Sequence, residues 1–356
     1  ATTTAAATAA GAARWIFYTG GRDGWRLPPE RTVAEMQDLI SVVIPVYNCG
    51  PYLDDCLNSL VAQTWQDWEA ILVDDGSTDD SPGKCDAWAK RDPRVQVIHQ
   101  QNQGISAARN AGIDAVKGKY LAFVDADDWV EPEYLQTLFS LVQTADLAVC
   151  CVFDHSEWNE KVHDERLSLQ TLRSTPSRYA NPVFTNYLYN KLYRMSLVRS
   201  SIRFPVKVRR CEDAYFVQDY LLCCQKIAVT ARKLYHYVQR DGSAMHSFYE
   251  GVCDDEIPLM QRQYELFHPC ALTDPEETCY RVWEFGKILS VCHYIKHYAD
   301  TPGDGLTYLR RWITAPVVWE ALRYCPFIIG KKAWILSILH MLSWKGACAK
   351  FLYAVC

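Results

Sequence analysis

The chain has 356 residues, of which 49% are hydrophobic, 22% charged and 13% aromatic. That length at roughly 150 residues per domain suits one large domain plus a smaller one, or two of middling size, and the composition excludes disorder, collagen-like repeats and a coiled coil. A formal net charge of -5 gives no global basic field, so nucleic acid is excluded as the main partner. The fifteen cysteines are scattered, odd in number and include the doublets Cys150-Cys151 and Cys223-Cys224, with no Cys-x-x-Cys pair. They read as reduced thiols serving as small apolar residues, which points to the cytosol. No apolar run reaches the ~18 residues of a spanning helix and no charged-then-apolar leader opens the chain, so the expected location is cytoplasmic.

Residues 1–36 open on an Ala/Thr stretch and a Gly/Arg segment without sustained periodicity, and read as a disordered tail or a start-site artefact. From Ile40 the texture changes. Ile40–Val46 reads as a buried strand, and Tyr52–Gln63 carries Leu53, Cys56, Leu57, Leu60 and Val61 at helical spacing. Trp68–Val73 is a strand, Asp79–Arg91 a helix, Val95–His99 a strand, Ser106–Val116 a helix and Tyr120–Val124 another strand. A helix over Pro132–Val142 and an apolar strand over Leu147–Val152 follow. Such alternation predicts an α/β fold with a mostly parallel sheet and helices on both faces. The polar stretch from about Asp154 to Arg178 is expected to be an insertion or a mobile loop, and beyond Asp241 the pattern is helical and rich in Trp and Tyr.

In open parallel sheets, ligands bind at the carboxyl ends of strands, where loops and helix N-termini converge. Three strand ends here carry polar residues: Pro45-Val-Tyr-Asn48, Val73-Asp-Asp-Gly-Ser-Thr-Asp79 and Val124-Asp-Ala-Asp-Asp128. Singly each is weak, since Asp-Gly-Ser is a common turn and Asp79 suits a helix cap. Three on one edge are harder to dismiss. Asp125, Asp127 and Asp128 repel one another unless solvent or a cation screens them, and a divalent ion with oxygen ligands would resolve the crowding in the presence of a nucleoside diphosphate.

An ordered set of segments then resembles the family-2 glycosyltransferases with the GT-A fold. It comprises Val43-Ile-Pro-Val-Tyr-Asn48, Gln63-Thr64, Val73-Asp-Asp-Gly-Ser-Thr-Asp79, Asn102-Gln-Gly-Ile-Ser-Ala-Ala-Arg-Asn110, Phe123-Val-Asp-Ala-Asp-Asp128, Asn190-Lys-Leu-Tyr193, Cys211-Glu-Asp213, and Tyr235-His-Tyr237 followed by Gly242-Ser243. The closest likeness is to bacterial enzymes that add single sugars to cell-surface polysaccharides. The resemblance implies a GT-A nucleotide-sugar domain over 37–245 and a C-terminal helical region over 246–356.

Carried over residue by residue, the resemblance implies that Pro45, Tyr47 and Asn48 line the nucleotide, with Tyr47 packing against uracil. Asp75, beside Gly76 and Ser77, accepts the uracil imide proton. Arg109 faces the nucleotide, where a cation offsets diphosphate charge. Asp125, Ala126 and Asp127 form the Asp-x-Asp motif, one carboxylate toward the ribose and donor sugar and the other toward Mn²⁺ or Mg²⁺. His246 falls where some relatives place a histidine that completes the metal shell or touches the diphosphate, a surface-loop histidine being the alternative. Glu212-Asp213 matches the catalytic pair, Asp213 being the general base of an inverting displacement. Without the family this pair would read as an acidic helix start that favours the dipole. Lys191 reads as bracing its loop.

The segment 302–356 holds seven Lys or Arg against two acids, and Lys331, Lys332 and Lys345 flank an Ala333–Trp344 run of about a dozen largely apolar residues. That run is too short to span a bilayer but suits a helix lying on an anionic membrane surface, the alternative being a core helix. The expectation is therefore a metal-dependent glycosyltransferase that moves sugar from a UDP-sugar to a lipid-linked glycan at the cytoplasmic membrane face. A nucleotidyltransferase and a non-catalytic glycan-binding or assembly protein are the rivals.

Overall fold

The computed structural model describes residues 38–153, 162–198, 201–238, 249–267, 274–299, 301–324, 348–350 and 352. The 1–36 tail, His246 and the Ala333–Trp344 run all lie outside them.

Nine strands form one mixed sheet: β1 (Ile40–Val46), β2 (Trp68–Asp74), β3 (Val95–His99), β4 (Tyr120–Phe123), β5 (Trp129–Val130), β6 (Leu147–Val152), β7 (Glu165–Ser168), β8 (Lys191–Arg194) and β9 (Lys226–His236). Their order is β3-β2-β1-β4-β8-β6-β9-β5, with β7 also on β9. β1 to β4 are mutually parallel, whereas β8 enters antiparallel between β4 and β6. The helices are α1 (Gly50–Val61), α2 (Ser81–Arg91), α3 (Ile105–Ala115), α4 (Tyr134–Val142), α5 (Glu212–Cys223), α6 (Val252–Phe267), α7 (Asp274–Tyr298), α8 (Pro302–Thr314) and α9 (Pro316–Tyr324), beside short helical turns. Every element read from periodicity up to residue 152 is present, its ends within two residues of expectation.

β1 and β2 are buried along their whole length because both faces of the sheet are covered. Alternate residues supply two separate cores: Val43, Ile71 and Phe123 pack on one side with Phe216 of α5, while Val42, Ile44 and Leu72 pack on the other with Leu53, Leu57 and Leu60 of α1. A third core, including Ile288, Ile295, Trp312 and Val318, joins the C-terminal helices. Among the described residues, no helix is long and apolar enough to cross a membrane.

Of the two expectations for 154–178, an insertion or a mobile loop, the loop is corrected for its described part. β7 pairs antiparallel with β9, and helical turns at Leu169–Ser174 and Pro176–Tyr179 follow. Leu167, Leu172 and Tyr179 anchor this stretch in the core, too widely spaced to register as a helical or strand period.

Candidate active site

Parallel register brings the ends of β1 and β2 level, with Val46 opposite Asp74, so the loops that follow meet side by side. Asn48 (φ 51°) donates its N–H to Ser77 Oγ at 3.1 Å, and its own Oδ1 accepts the Thr78 N–H at 2.8 Å. Gly76 has φ +73°, and a Cβ there would lie 2.8 Å from the Asn102 nitrogen, so the turn requires glycine. Tyr47 projects from this edge with 49% of its surface exposed, while Pro45 is buried within β1. The Asp75 carboxylate is buried and accepts from Gln100 Nε2 (2.7 Å) and from the backbone N–H groups of Gln103 (2.9 Å) and Gly104 (2.8 Å). It thereby ties the loop after β3, which opens α3, to the end of β2.

α3 carries Arg109 inward, where its side chain is 2% exposed. Nη2 donates to Asp125 Oδ1 at 3.0 Å, and Nη1 donates to Glu212 Oε1 at 3.0 Å and to Asp213 Oδ1. The guanidinium lies over the Phe204 ring at 5.3 Å. Burial opposes its charge, but Asp213, Asp125 and Glu212 outweigh that and raise Arg109 above its ordinary value. Arg109, expected to face the nucleotide, has both terminal nitrogens engaged by carboxylates.

The crowding at the end of β4 is relieved in two directions. Asp128 turns inward, accepting from Tyr235 Oη at 2.6 Å and from the Val238 N–H at 2.8 Å. Burial, reinforced by the Asp125 charge, pushes it up to about 8. Asp125 takes Arg109, and its N–H donates to the same Tyr235 Oη at 3.1 Å. Ala126 is buried between them, and Asp127 is half-buried. Among the described residues, no group of three or more His, Cys, Asp or Glu side chains could hold a metal ion. A cation at Asp125 and Asp127 would therefore draw the rest of its shell from substrate and water, the usual habit of Mg²⁺.

Glu212 and Asp213 open α5 behind Cys211, a non-glycine residue in the left-handed region at φ 60°. Such backbone persists only where the surroundings hold it. Here they come from the C-terminal helices. Asp255 Oδ2 on α6 accepts the N–H groups of Arg209 (2.9 Å) and Arg210 (3.1 Å), and Cys211 Sγ donates to Glu256 Oε1 at 3.5 Å. Glu256 is ion-paired at 2.9 Å with Lys287 of α7, and Arg210 lies over the Tyr294 ring at 3.9 Å. Burial pushes Asp213 up, Glu212 and Asp125 add to the shift, and Arg109 opposes it. These supporting residues escape the sequence reading because Asp254-Asp255-Glu256 looks like any acidic helix start. Lys191 braces: its buried ammonium donates to Val183 O (2.6 Å), Asn190 Oδ1 (2.8 Å) and Tyr187 O, and burial lowers it to about 7.

The family profile of Glycosyl transferase family 2 matches residues 41–201. The glycosyltransferase GlyG of Streptococcus pneumoniae serotype 4 is 35% identical over 235 residues, 60% of this chain and 75% of that protein. The chain belongs to glycosyltransferase family 2. EpsH of Bacillus subtilis is 36% identical over 207 residues, 56% of this chain, and the match spans only 60% of EpsH. Among solved structures, S. aureus TarS 1-349 in complex with UDP-GlcNAc superposes with a TM-score of 0.59 at 19% identity, covering 88% of this chain and 90% of that one. This family-2 chain thus carries the expected GT-A-like sheet followed by C-terminal helices.

Proposed function

We propose that this protein is an inverting glycosyltransferase of bacterial surface polysaccharide synthesis, moving a sugar from a UDP-sugar to a hydroxyl of a glycan acceptor. The observation that carries the reading is the Arg109 bridge, one guanidinium shared by Asp125 at the end of β4 and by Glu212 and Asp213 at the start of α5. It holds a nucleotide-sugar edge and a candidate base at a fixed separation, as a single displacement requires.

In this reading Tyr47 and Pro45 flank the uracil beside Asn48, Gly76 and Ser77. A carboxylate has about four lone-pair sites, and Asp75 uses three on protein donors, which leaves one for the uracil imide N–H. Asp125 and Ala126 approach the ribose and donor sugar. Asp127 with Asp125 would hold Mn²⁺ or Mg²⁺, which when bound supplies positive charge beside the diphosphate. Asp213 removes the proton from the acceptor hydroxyl as that oxygen bonds to the anomeric carbon and the bond from that carbon to the diphosphate oxygen breaks. The Arg109 guanidinium beside Asp213 favours the ionised carboxylate that accepts this proton, and Glu212 shares Arg109 with it.

The test is UDP release across a panel of UDP-sugars with the parent and Asp213→Asn. Loss of a positioned base lowers transfer by about 10² to 10⁴ and leaves UDP-sugar affinity near the parent's. Near-normal transfer by Asp213→Asn would falsify the base assignment. A parent that consumes nucleoside triphosphates and no UDP-sugar is a nucleotidyltransferase instead.

A further inference from the structure

Away from the strand ends, a cleft of about 530 Å³ opens between the 176–186 segment and helices α6 and α7. Three features set it apart from an ordinary surface groove. Gln263 of α6 lines it, is 1% exposed, and among the described residues has no hydrogen-bond partner on either its amide oxygen or its amide nitrogen. A buried amide left unpaired is costly, and an apolar side chain of the same shape would avoid the cost. Gly286 sits inside α7 where a Cβ would meet nothing within 4 Å, so α7 forgoes helix propensity at the point where a side chain would enter the cleft. Trp283, one turn before it on the same face, lends a half-buried indole to the wall.

The lining mixes polar side chains with a larger apolar surface, holds no Asp or Glu among the described residues, and its Lys287 is already ion-paired with Glu256. A charged ligand finds no unmatched charge there. An amide that both donates and accepts matches a pair of neighbouring hydroxyls, and an indole face suits the C–H face of a sugar ring. The cleft is linked to the start of α5, because the Glu256 that pairs with Lys287 accepts from Cys211, the residue before Glu212. We infer that this cleft binds a neutral sugar unit of the acceptor glycan, remote from the hydroxyl that receives the transferred sugar. The inference rests on the glycosyltransferase reading for its ligand class.

Calorimetric titration of the full chain with cellotetraose, maltotetraose and N-acetylchitotetraose tests it, with UDP titrated separately. At least one tetrasaccharide binds the parent, and Gly286→Phe, which fills the cleft from open space, weakens it about tenfold or more while UDP affinity stays unchanged. Gln263→Leu weakens the same tetrasaccharide and raises Tm, since it removes an unpaired buried amide; a purely structural glutamine would lower Tm. No binding by any of the three, binding indifferent to Gly286→Phe, or a lower Tm in Gln263→Leu each overturns the cleft assignment. Tetrasaccharide binding that Gly286→Phe blocks, in a parent that ignores UDP, keeps the cleft and refutes the donor reading. UDP binding with tetrasaccharide binding indifferent to Gly286→Phe refutes the cleft alone.

Discussion

Asp75 finds its partners 25 to 29 residues away, inside the next β-α unit, whereas Asp213 meets Arg109 across 104 residues and Tyr235 meets Asp128 across 107. The edge proposed to take the nucleotide is thus assembled by parallel neighbours and backbone N–H groups. The side proposed to supply the base is assembled from α3, α5 and the C-terminal helices, through side chains. The first arrangement forms wherever the β-α repeat folds, because register alone places the loops together. The second depends on individual contacts, so single substitutions should separate the two.

The largest effect is expected at the one residue that joins both sides. Arg109→Met leaves three carboxylates facing one another without their cation, which should destabilise the fold by about 3 kcal/mol and abolish transfer. Arg109→Lys keeps the charge without the planar fork and should recover stability more than activity. Thermal melts and UDP release check both, and an active Arg109→Met would dissolve the contrast between the two sides.

A smaller and one-sided loss is expected at Asp255. Asp255→Ala strands the N–H groups of Arg209 and Arg210 and frees the turn before Glu212. A displaced base can cost about 10²-fold, so kcat should fall on that scale while KM for the UDP-sugar holds. A change in KM alone would mean that α6 supports the nucleotide edge instead.

The last effect concerns Asp128, touches stability alone and is measured in metal-free buffer. Its folded value of about 8 stands above the ordinary 3.8, so between these pH values the folded protein keeps a proton that the unfolded chain has released. Stability therefore falls as pH rises from about 4 to 8. Asp128→Asn has no proton to lose and should flatten that fall, raising Tm at pH 8 relative to the parent by a few degrees. Parallel Tm-against-pH curves for the two proteins would remove Asp128 as the source.

The same division decides what the sequence makes legible. β1 to β4 and their helices are periodic runs bounded by turn residues, so the edge with Tyr47, Asp75 and Asp125 can be placed from spacing alone. β8 and β9 carry no such signal: β8 is four residues, and β9 mixes buried Ile227–Thr230 with exposed Ala231–Lys233. Their place beside β4 and β6 is fixed by tertiary packing. Glu212 and Asp213 are visible only through family resemblance, and Asp255, Glu256 and Lys287 not at all, since ion pairing between helices leaves no local pattern. The Arg109 bridge is likewise hidden, because Ser106 to Asn110 reads simply as an amphipathic turn of helix.

Cys211 closes the account of the base side in chemical terms. Burial, aided by the Glu256 charge, pushes its thiol up to about 12, so at neutral pH almost none of it is thiolate, the form that reacts with electrophiles. While α6 and α7 stay packed, thiol-directed reagents should pass over the cysteine next to Glu212 despite its partial exposure. Its alkylation rate would then count the moments when the helices part from the start of α5, giving a clock for local opening built into the site itself.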